Sequence, residues 1–321
     1  MDNKNVSIND WFVVVNFNAG NRKISRDWPV INKALTKAGI KFDFAITQWP
    51  LHAIKLTGDA LKKGFKKFIS VGGDGTMNEI ANALLNFEDF KTEDFILGLI
   101  PVGTGNDWGR MFFIPKKYNL AVNTIAAGHS FRQDVGLISF RNGNQNDSRY
   151  FLNIAGMGFD AMVAQKTNIQ KAAGKGNALS YFINLLTSLF QYKPQIIQVE
   201  IDDDKYNFNT FSMSVGICKY NGGGMMQLPN AIPDDGLLDV TVIKKIGPGT
   251  IMAQLRNLYT GQFVKHPKVA TFTAKKVKIQ SKKNGFMMEA DGESLGQAPF
   301  EITLKPRALK VIVGKKYLKI Q

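Results

Sequence analysis

Between residues 11 and 107, short apolar runs alternate with segments of helical period, and each run ends in a polar turn. That alternation admits few folds, because parallel strands need helical crossovers while antiparallel strands can join through tight turns. Trp11-Phe12-Val13-Val14-Val15 is continuously apolar, as a strand covered on both faces should be, and it ends in Asn16-Phe17-Asn18-Ala19-Gly20-Asn21. A helix pattern follows from about Trp28 to Ala38, then a strand at Phe42 to Ile46 that ends in Thr47-Gln48-Trp49-Pro50. A second helix is expected from about His52 to Lys63. The strand at Phe68 to Val71 opens into Gly72-Gly73-Asp74-Gly75-Thr76-Met77-Asn78-Glu79, after which Ile80, Ala81, Ala83, Leu84 and Leu85 supply a helix's buried face. Ile96 to Ile100 makes a fourth strand, ending in Pro101-Val102-Gly103-Thr104-Gly105-Asn106-Asp107. The expectation is an α/β domain built on a doubly wound parallel sheet, over residues 8–130, with ligands at the carboxyl ends of its strands.

After about residue 130 the texture changes. Phe151 to Ile154, Ile196 to Ile201, Thr210 to Ile217, Leu238 to Ile243, Val277 to Ile279, Phe286 to Ala290 and Phe300 to Leu304 are strand-like. Only about Asn177 to Tyr192 and Pro248 to Tyr259 look helical there. Residues 131–305 are therefore expected to form an antiparallel, β-rich second domain. The tail, 306–321, carries one further strand at Ala308 to Val313 that is free to join the first domain.

The lone cysteine, Cys218, leaves no disulfide framework or cysteine zinc site, which suits a reducing cytoplasm. The N-terminus lacks a signal-peptide layout, and no apolar run approaches the roughly 20 residues that span a bilayer. The net charge of +15 is the unusual global number. It attracts nucleic acid, anionic lipid or polyphosphate without choosing among them, and no nucleic-acid motif accompanies it.

Chemistry concentrates in the two glycine loops. Glycine lets main-chain N–H groups approach a ligand's phosphates, and a helix starting just after such a loop adds its dipole and unpaired amides. Asn106 and Asp107 in the second loop suit a helix N-cap as well as a ligand. In the second half, Asp291-Gly292-Glu293 offers two carboxylates around a glycine, and Asp-Gly is also a hairpin-turn signal. The apolar segment Leu179 to Phe190 follows Lys166, Lys171 and Lys175, and fits either a core or a lipid-facing helix.

Taken together, the two glycine loops resemble the diacylglycerol kinase catalytic-domain family, which includes bacterial lipid kinases and sphingosine kinases. The resemblance continues through Asn153 to Asp160, Gly222-Gly223-Gly224-Met225, Pro229-Asn230-Ala231, Asp235-Gly236-Leu237-Leu238-Asp239 and Asp291-Gly292-Glu293. One departure is Phe17, where the family usually has proline after the asparagine. The resemblance implies a nucleotide-binding α/β domain and a β-sandwich domain, with ATP and lipid meeting in the interdomain cleft. It implies transfer of the γ-phosphoryl of MgATP to the hydroxyl of diacylglycerol or a similar lipid. Asn16, Thr47, Gly72, Gly73, Asp74, Gly75, Thr76, Met77, Asn78 and Thr104 would contact the nucleotide.

Asp74 would hold magnesium or orient the acceptor, and Glu293 or Asp291 would be the base, with Glu293 preferred. A second, structural Mg²⁺ is implied at the Asp235 carboxylate and the carbonyls of Ile232 and Leu237. The implied partners are a membrane lipid, an anionic membrane surface reached from the cytoplasm, and possible homodimer formation, with no nucleic acid. Two alternatives stay open: a kinase with a soluble acceptor, as in NAD kinase, and a non-catalytic lipid- or nucleotide-binding regulator.

Overall fold

The computed structural model describes residues 10–20, 23–87, 94–103, 105–142, 145–172, 178–281 and 286–320, with the side chains of 142 and 171–182 outside that description. The chain divides into two compact units, residues 1–133 with 307–321, and residues 134–306.

In the first unit the elements run β1 (Trp11–Val15), α1 (Lys23–Lys37), β2 (Phe42–Ile46), α2 (His52–Lys62), β3 (Lys67–Gly72), α3 (Asp74–Leu85), β4 (Ile96–Pro101), α4 (Asp107–Met111) and α5 (Tyr118–Ala127). The strands pair in parallel in the order β4-β3-β1-β2. Val13, Val14, Val15, Phe68, Ile69, Val71, Leu97 and Ile100 are fully buried, which is what helices on both faces of a parallel sheet require. Helix α1 starts earlier than expected and carries Pro29 inside it, with Ile24, Trp28, Ile31 and Leu35 on its buried side. Helix α3 also starts early. The loop expected to run to Asn78 stops at Gly73, and Asp74 to Asn78 form the opening of the helix.

The second unit holds most of β5 (Ser130–Asn142), then β6 (Gln145–Phe151), β7 (Ile154–Gly158), α6 (Phe159–Ala172), α7 (Ala178–Gln191), β8 (Gln195–Ile201), β9 (Asp204–Gly216), β10 (Leu238–Lys244), α8 (Pro248–Thr260), β11 (Val269–Ala274), β12 (Lys276–Ser281), β13 (Met287–Ala290), β14 (Glu293–Gln297) and the start of β15 (Phe300–Ile312). Its pairings are antiparallel, giving a β-sandwich-like unit. Strand β9 organises it: one half pairs with β8, the other with β7, and its opposite edge pairs with β10. The end of β15 adds a parallel strand beside β4, through Lys310 opposite Ile96 and Val311 opposite Leu97.

Two expectations fail here. Helix α6 was not anticipated, because its buried Phe159, Ala161 and Val163 fall at alternate positions, the spacing of a strand. The expected strand Phe151 to Ile154 is instead interrupted at Leu152 and Asn153, between the end of β6 and the start of β7. Its amides point at a carboxylate from the β13–β14 turn and not at a strand neighbour.

Candidate active site

The glycine loops of the first unit lie at the carboxyl ends of adjacent strands, with Gly72 opposite Pro101 in the β3–β4 register. The Val102 amide donates to the Gly72 carbonyl at 2.8 Å. Beyond that bond the loops touch backbone to backbone. A Cβ on Gly103 would lie 2.9 Å from the Gly73 Cα, and one on Gly73 would lie 3.4 Å from the Gly103 Cα. Gly73 is the N-cap of α3 and no side chain caps that end, so amides of its first turn lack an intrahelical partner.

Asp74 ties the two loops together. Its Oδ2 accepts the Asp107 amide at 3.1 Å and its Oδ1 the Trp108 amide at 3.2 Å, so Asp74 caps α4 from another helix. Asn106, the expected cap, adopts the left-handed conformation (φ 52°) and donates its Nδ2 to the Gly103 carbonyl instead. The Oδ1 of Asn106 is buried beside Gly103 and has no hydrogen-bond partner among the described residues.

Asn16 extends from the end of β1, where its Nδ2 donates to Thr76 Oγ1 at 2.9 Å and its Oδ1 accepts the Asn18 amide at 3.0 Å. Phe17 leaves these bonds intact. Thr47 is buried at the end of β2, and its amide donates to the Val15 carbonyl at 2.9 Å. The structure thus brings Asn16, Thr47, Gly72, Gly73, Asp74, Gly75 and Thr76 to one end of the sheet. Met77 and Asn78 turn inward instead. Met77 is 1% exposed and spends its amide on Gly73, while the Asn78 side chain accepts from Asn82. Thr104 lies outside the described residues. Glu79 in the same motif takes the Ala53 amide at 3.0 Å and so caps α2.

In the second unit, Asp291 and Gly292 form a left-handed turn (φ 49° and 88°) between β13 and β14. Asp291 is buried, and its carboxylate accepts amides from Leu152 (2.7 Å), Asn153 (3.0 Å) and Ile154 (3.3 Å). Both oxygens are engaged by amides, which suits an anchor and not a proton acceptor. This geometry sets Asp291 apart from Glu293, the other carboxylate expected as a base. Glu293 is the half-buried residue that opens β14.

Below this turn lies a cluster that the sequence did not mark. Burial pushes the Glu289 carboxyl up to about 8 and the Asp160 carboxyl up to about 6, against hydrogen bonds that favour ionisation. Asp160 accepts from Ser212 Oγ at 2.6 Å and from Gln227 Nε2 at 3.3 Å. A single glutamate inside the apolar run Phe286 to Ala290 was the available signal.

In the 232–239 loop, the Asp235 Oδ1 accepts the Leu237 amide at 3.0 Å, and Asp134 accepts the Gly236 amide at 2.8 Å. Burial and then the Asp235 charge push the Asp239 carboxyl up to about 7. Among the described residues no group of three His, Cys, Asp or Glu could hold a metal ion, so backbone carbonyls would have to complete any site here. Carbonyl and carboxylate oxygens beside a second carboxyl fit a hard cation such as Mg²⁺.

Helix α7 divides by face. Leu185 and Leu189 pack on Phe159, Val163 and Phe211, whereas Phe190 is 73% exposed and Ile183 48%. Lys166 donates to Gln191 at 2.6 Å, and the side chains of Lys171 and Lys175 are outside the described residues. Among the described residues no helix is long and apolar enough to cross a membrane.

Two glycine loops at the end of a parallel sheet, joined in one chain to a β-sandwich-like unit, define the lipid kinase and NAD kinase class of fold. The diacylglycerol kinase catalytic domain matches residues 10–138, and the YegS C-terminal NAD kinase beta sandwich-like domain matches residues 153–313. The chain belongs to the diacylglycerol kinase catalytic-domain family. It is 28% identical over 291 residues to a diacylglycerol kinase of Staphylococcus saprophyticus, covering 89% of this chain and 90% of that protein. It is 27% identical over 307 residues to one of Staphylococcus haemolyticus, covering 94% and 88%. A crystal structure of a diacylglycerol kinase from Bacillus anthracis shares the fold at a TM-score of 0.72 and 23% identity, over 96% of this chain and 98% of that one. Yeast NADH kinase shares it more distantly, at 0.54 and 7% identity, over 96% and 84%. Membership makes the chain a kinase-family protein and implies ATP as donor with a divalent metal.

Proposed function

We propose that this chain transfers the γ-phosphoryl group of ATP to the hydroxyl of diacylglycerol or a closely similar lipid, yielding phosphatidic acid or its analogue. The observation that carries the reading is the backbone contact of Gly73 with Gly103, spanned by the Asp74 carboxylate. No side chain fits between these loops, so what they present to a ligand is main-chain amide, the donor suited to phosphate oxygens. Phosphoryl transfer depends chiefly on positioning and charge neutralisation, and a rigid cradle supplies the first.

In this reading the amides from Gly73 to Thr76 hold the phosphates, with Asn16 fixing Thr76 and Thr47 and Thr104 completing the nucleotide contacts. Asp74, whose carboxylate takes the Asp107 and Trp108 amides, and the Asn106 Oδ1 would hold the hydrated metal. A metal held there would neutralise charge on the phosphates. Glu293 removes the proton from the lipid hydroxyl as its oxygen bonds to the γ-phosphorus, and the bond to the bridging oxygen of ADP breaks. A Mg²⁺ at Ile232, Asp235 and Leu237 would serve to order the second unit. The net charge of +15 and the outward Phe190 and Ile183 suit transient contact with the anionic inner face of the membrane, reached from the cytoplasm.

The test is transfer from γ-labelled ATP and Mg²⁺ to diacylglycerol, phosphatidylglycerol, a sphingoid base and a prenol in mixed micelles, with NAD alongside. Label in a lipid supports the reading and names the acceptor. Label in NAD alone, or in none of them, sinks it.

A further inference from the structure

The turn that leads into Glu293 is held by a second carboxyl that the transfer scheme does not use. Glu289 is 2% exposed on β13, directly opposite Gly156 of β7 in the strand register. A Cβ on Gly156 would fall 2.6 Å from Glu289 Oε1, so the carboxyl occupies space that this glycine leaves open. Glu289 Oε2 accepts the Gly292 amide at 2.8 Å, and Oε1 accepts the Asn221 Nδ2 at 3.0 Å. One side chain therefore bridges two loops.

The second loop is unusual in itself. Gly222, Gly223 and Gly224 all have positive φ (62°, 87° and 105°), a path open to glycine and strained for other residues. Asn221 and Met225 close its base by exchanging amide bonds of 2.9 and 3.0 Å. Asn221 also accepts the Gly222 amide through its Oδ1 at 2.8 Å. Three glycines offer no side chains with which to hold a loop, and Asn221 ties its base. The charged groups facing Glu289 are Asp160 from α6 and Asp291 from its own turn. Burying a third carboxyl beside two others is costly, and an apolar residue on β13 would avoid that cost. Asp291 already fixes the turn against residues 152–154. What Glu289 adds is the tie to the glycine loop.

We propose that Glu289 is a positioning residue that latches the Asp291-Gly292 turn, and with it Glu293, to the Asn221–Met225 loop, so that base and glycine loop hold one geometry. This rests on the lipid kinase reading for the role of Glu293, and the latch itself can be measured without substrate. Glutamine at 289 would present an N–H₂ to one of two donors and break half the latch. Pairing Glu289→Gln with Asn221→Asp turns that clash back into a donor–acceptor pair.

The experiment compares the full-length chain with Glu289→Ala, Glu289→Gln and Glu289→Gln/Asn221→Asp, by amide hydrogen exchange without ligand and by lipid phosphorylation. Glu289→Ala is expected to speed exchange at Gly292 and at Met225 together, by about tenfold or more, through local opening of the latch. It should lower kcat by about 10- to 100-fold, as misplacement of a catalytic group does, with KM for ATP nearly unchanged. The double variant should recover to within about threefold of the parent, as a coupled pair does. Faster exchange at Gly292 with Met225 unaltered overturns the latch, as does a double variant no better than Glu289→Gln. Coupled exchange in a parent chain that labels no lipid leaves the latch standing and removes both the kinase reading and the positioning role.

Discussion

Single residues set the geometry of the glycine loops and of the turn that carries Glu293. Gly103 is constrained by backbone, because the atom nearest an added Cβ is the Gly73 Cα at 2.9 Å and not a movable side-chain tip. Gly103→Ala must therefore spread the loops, and isothermal titration should show ATP binding weakened by about tenfold or more. Asp291 and Glu293 separate by the same kind of reasoning. Asp291→Ala leaves three buried amides without their acceptor, at about 1–3 kcal/mol each, so denaturant unfolding should show a loss of several kcal/mol. Glu293→Gln should leave stability near that of the parent and lower kcat by about 10² to 10⁴, the range for a positioned base. A kcat reduced less than about threefold would take that role from Glu293.

At the scale of elements, the first unit was legible because its signals are local. Continuous apolar runs, glycine turns and helical periods placed β1 to β4 and the ends at which the loops gather. The boundary of α3 was less legible, since Asp74 and Gly75 look like loop residues until the Asp74 carboxylate is seen capping α4. That cap gives Asp74→Ala two effects: loss of phosphoryl transfer, and a stability cost of about 1 kcal/mol by thermal melting without unfolding the chain. In the second unit the informative contacts are long-range. The bond from Asp291 to Leu152 joins residues 139 apart, and no local pattern announces it. Helix α6 was missed because strand-like spacing and helix-forming composition disagreed. Glu289 lay hidden in an apolar run for a related reason, as its partners come from three separate segments.

For the whole molecule, the buried acids make stability depend on pH with an unusual sign. Glu289 titrates at about 8 when folded, above the ordinary 4.5 of the unfolded chain, and Asp160 at about 6 against 3.8. Well below pH 3.8 both states hold these protons and the pH has little effect through them. As pH rises the unfolded chain releases them first, so folding stability falls until the folded carboxyls have ionised, near pH 8 for Glu289. Melting curves from pH 5 to pH 8 should show that decline, and Glu289→Gln should flatten its upper part. The charge of +15 acts at the same scale: association with anionic vesicles should weaken steeply as salt is raised, and binding unaffected by salt would argue against a charge-driven membrane contact.

The central claim is that this chain transfers the γ-phosphoryl of ATP to a lipid hydroxyl, with Glu293 as the base. Its most direct measurement is a single-turnover assay with γ-labelled ATP and diacylglycerol micelles, run on the parent chain and on Glu293→Gln at saturating nucleotide. The account predicts label in phosphatidic acid for the parent, with the variant slower by about 10² to 10⁴ and its ATP affinity unchanged. Equal rates in the two proteins, or label reaching no lipid, would contradict it.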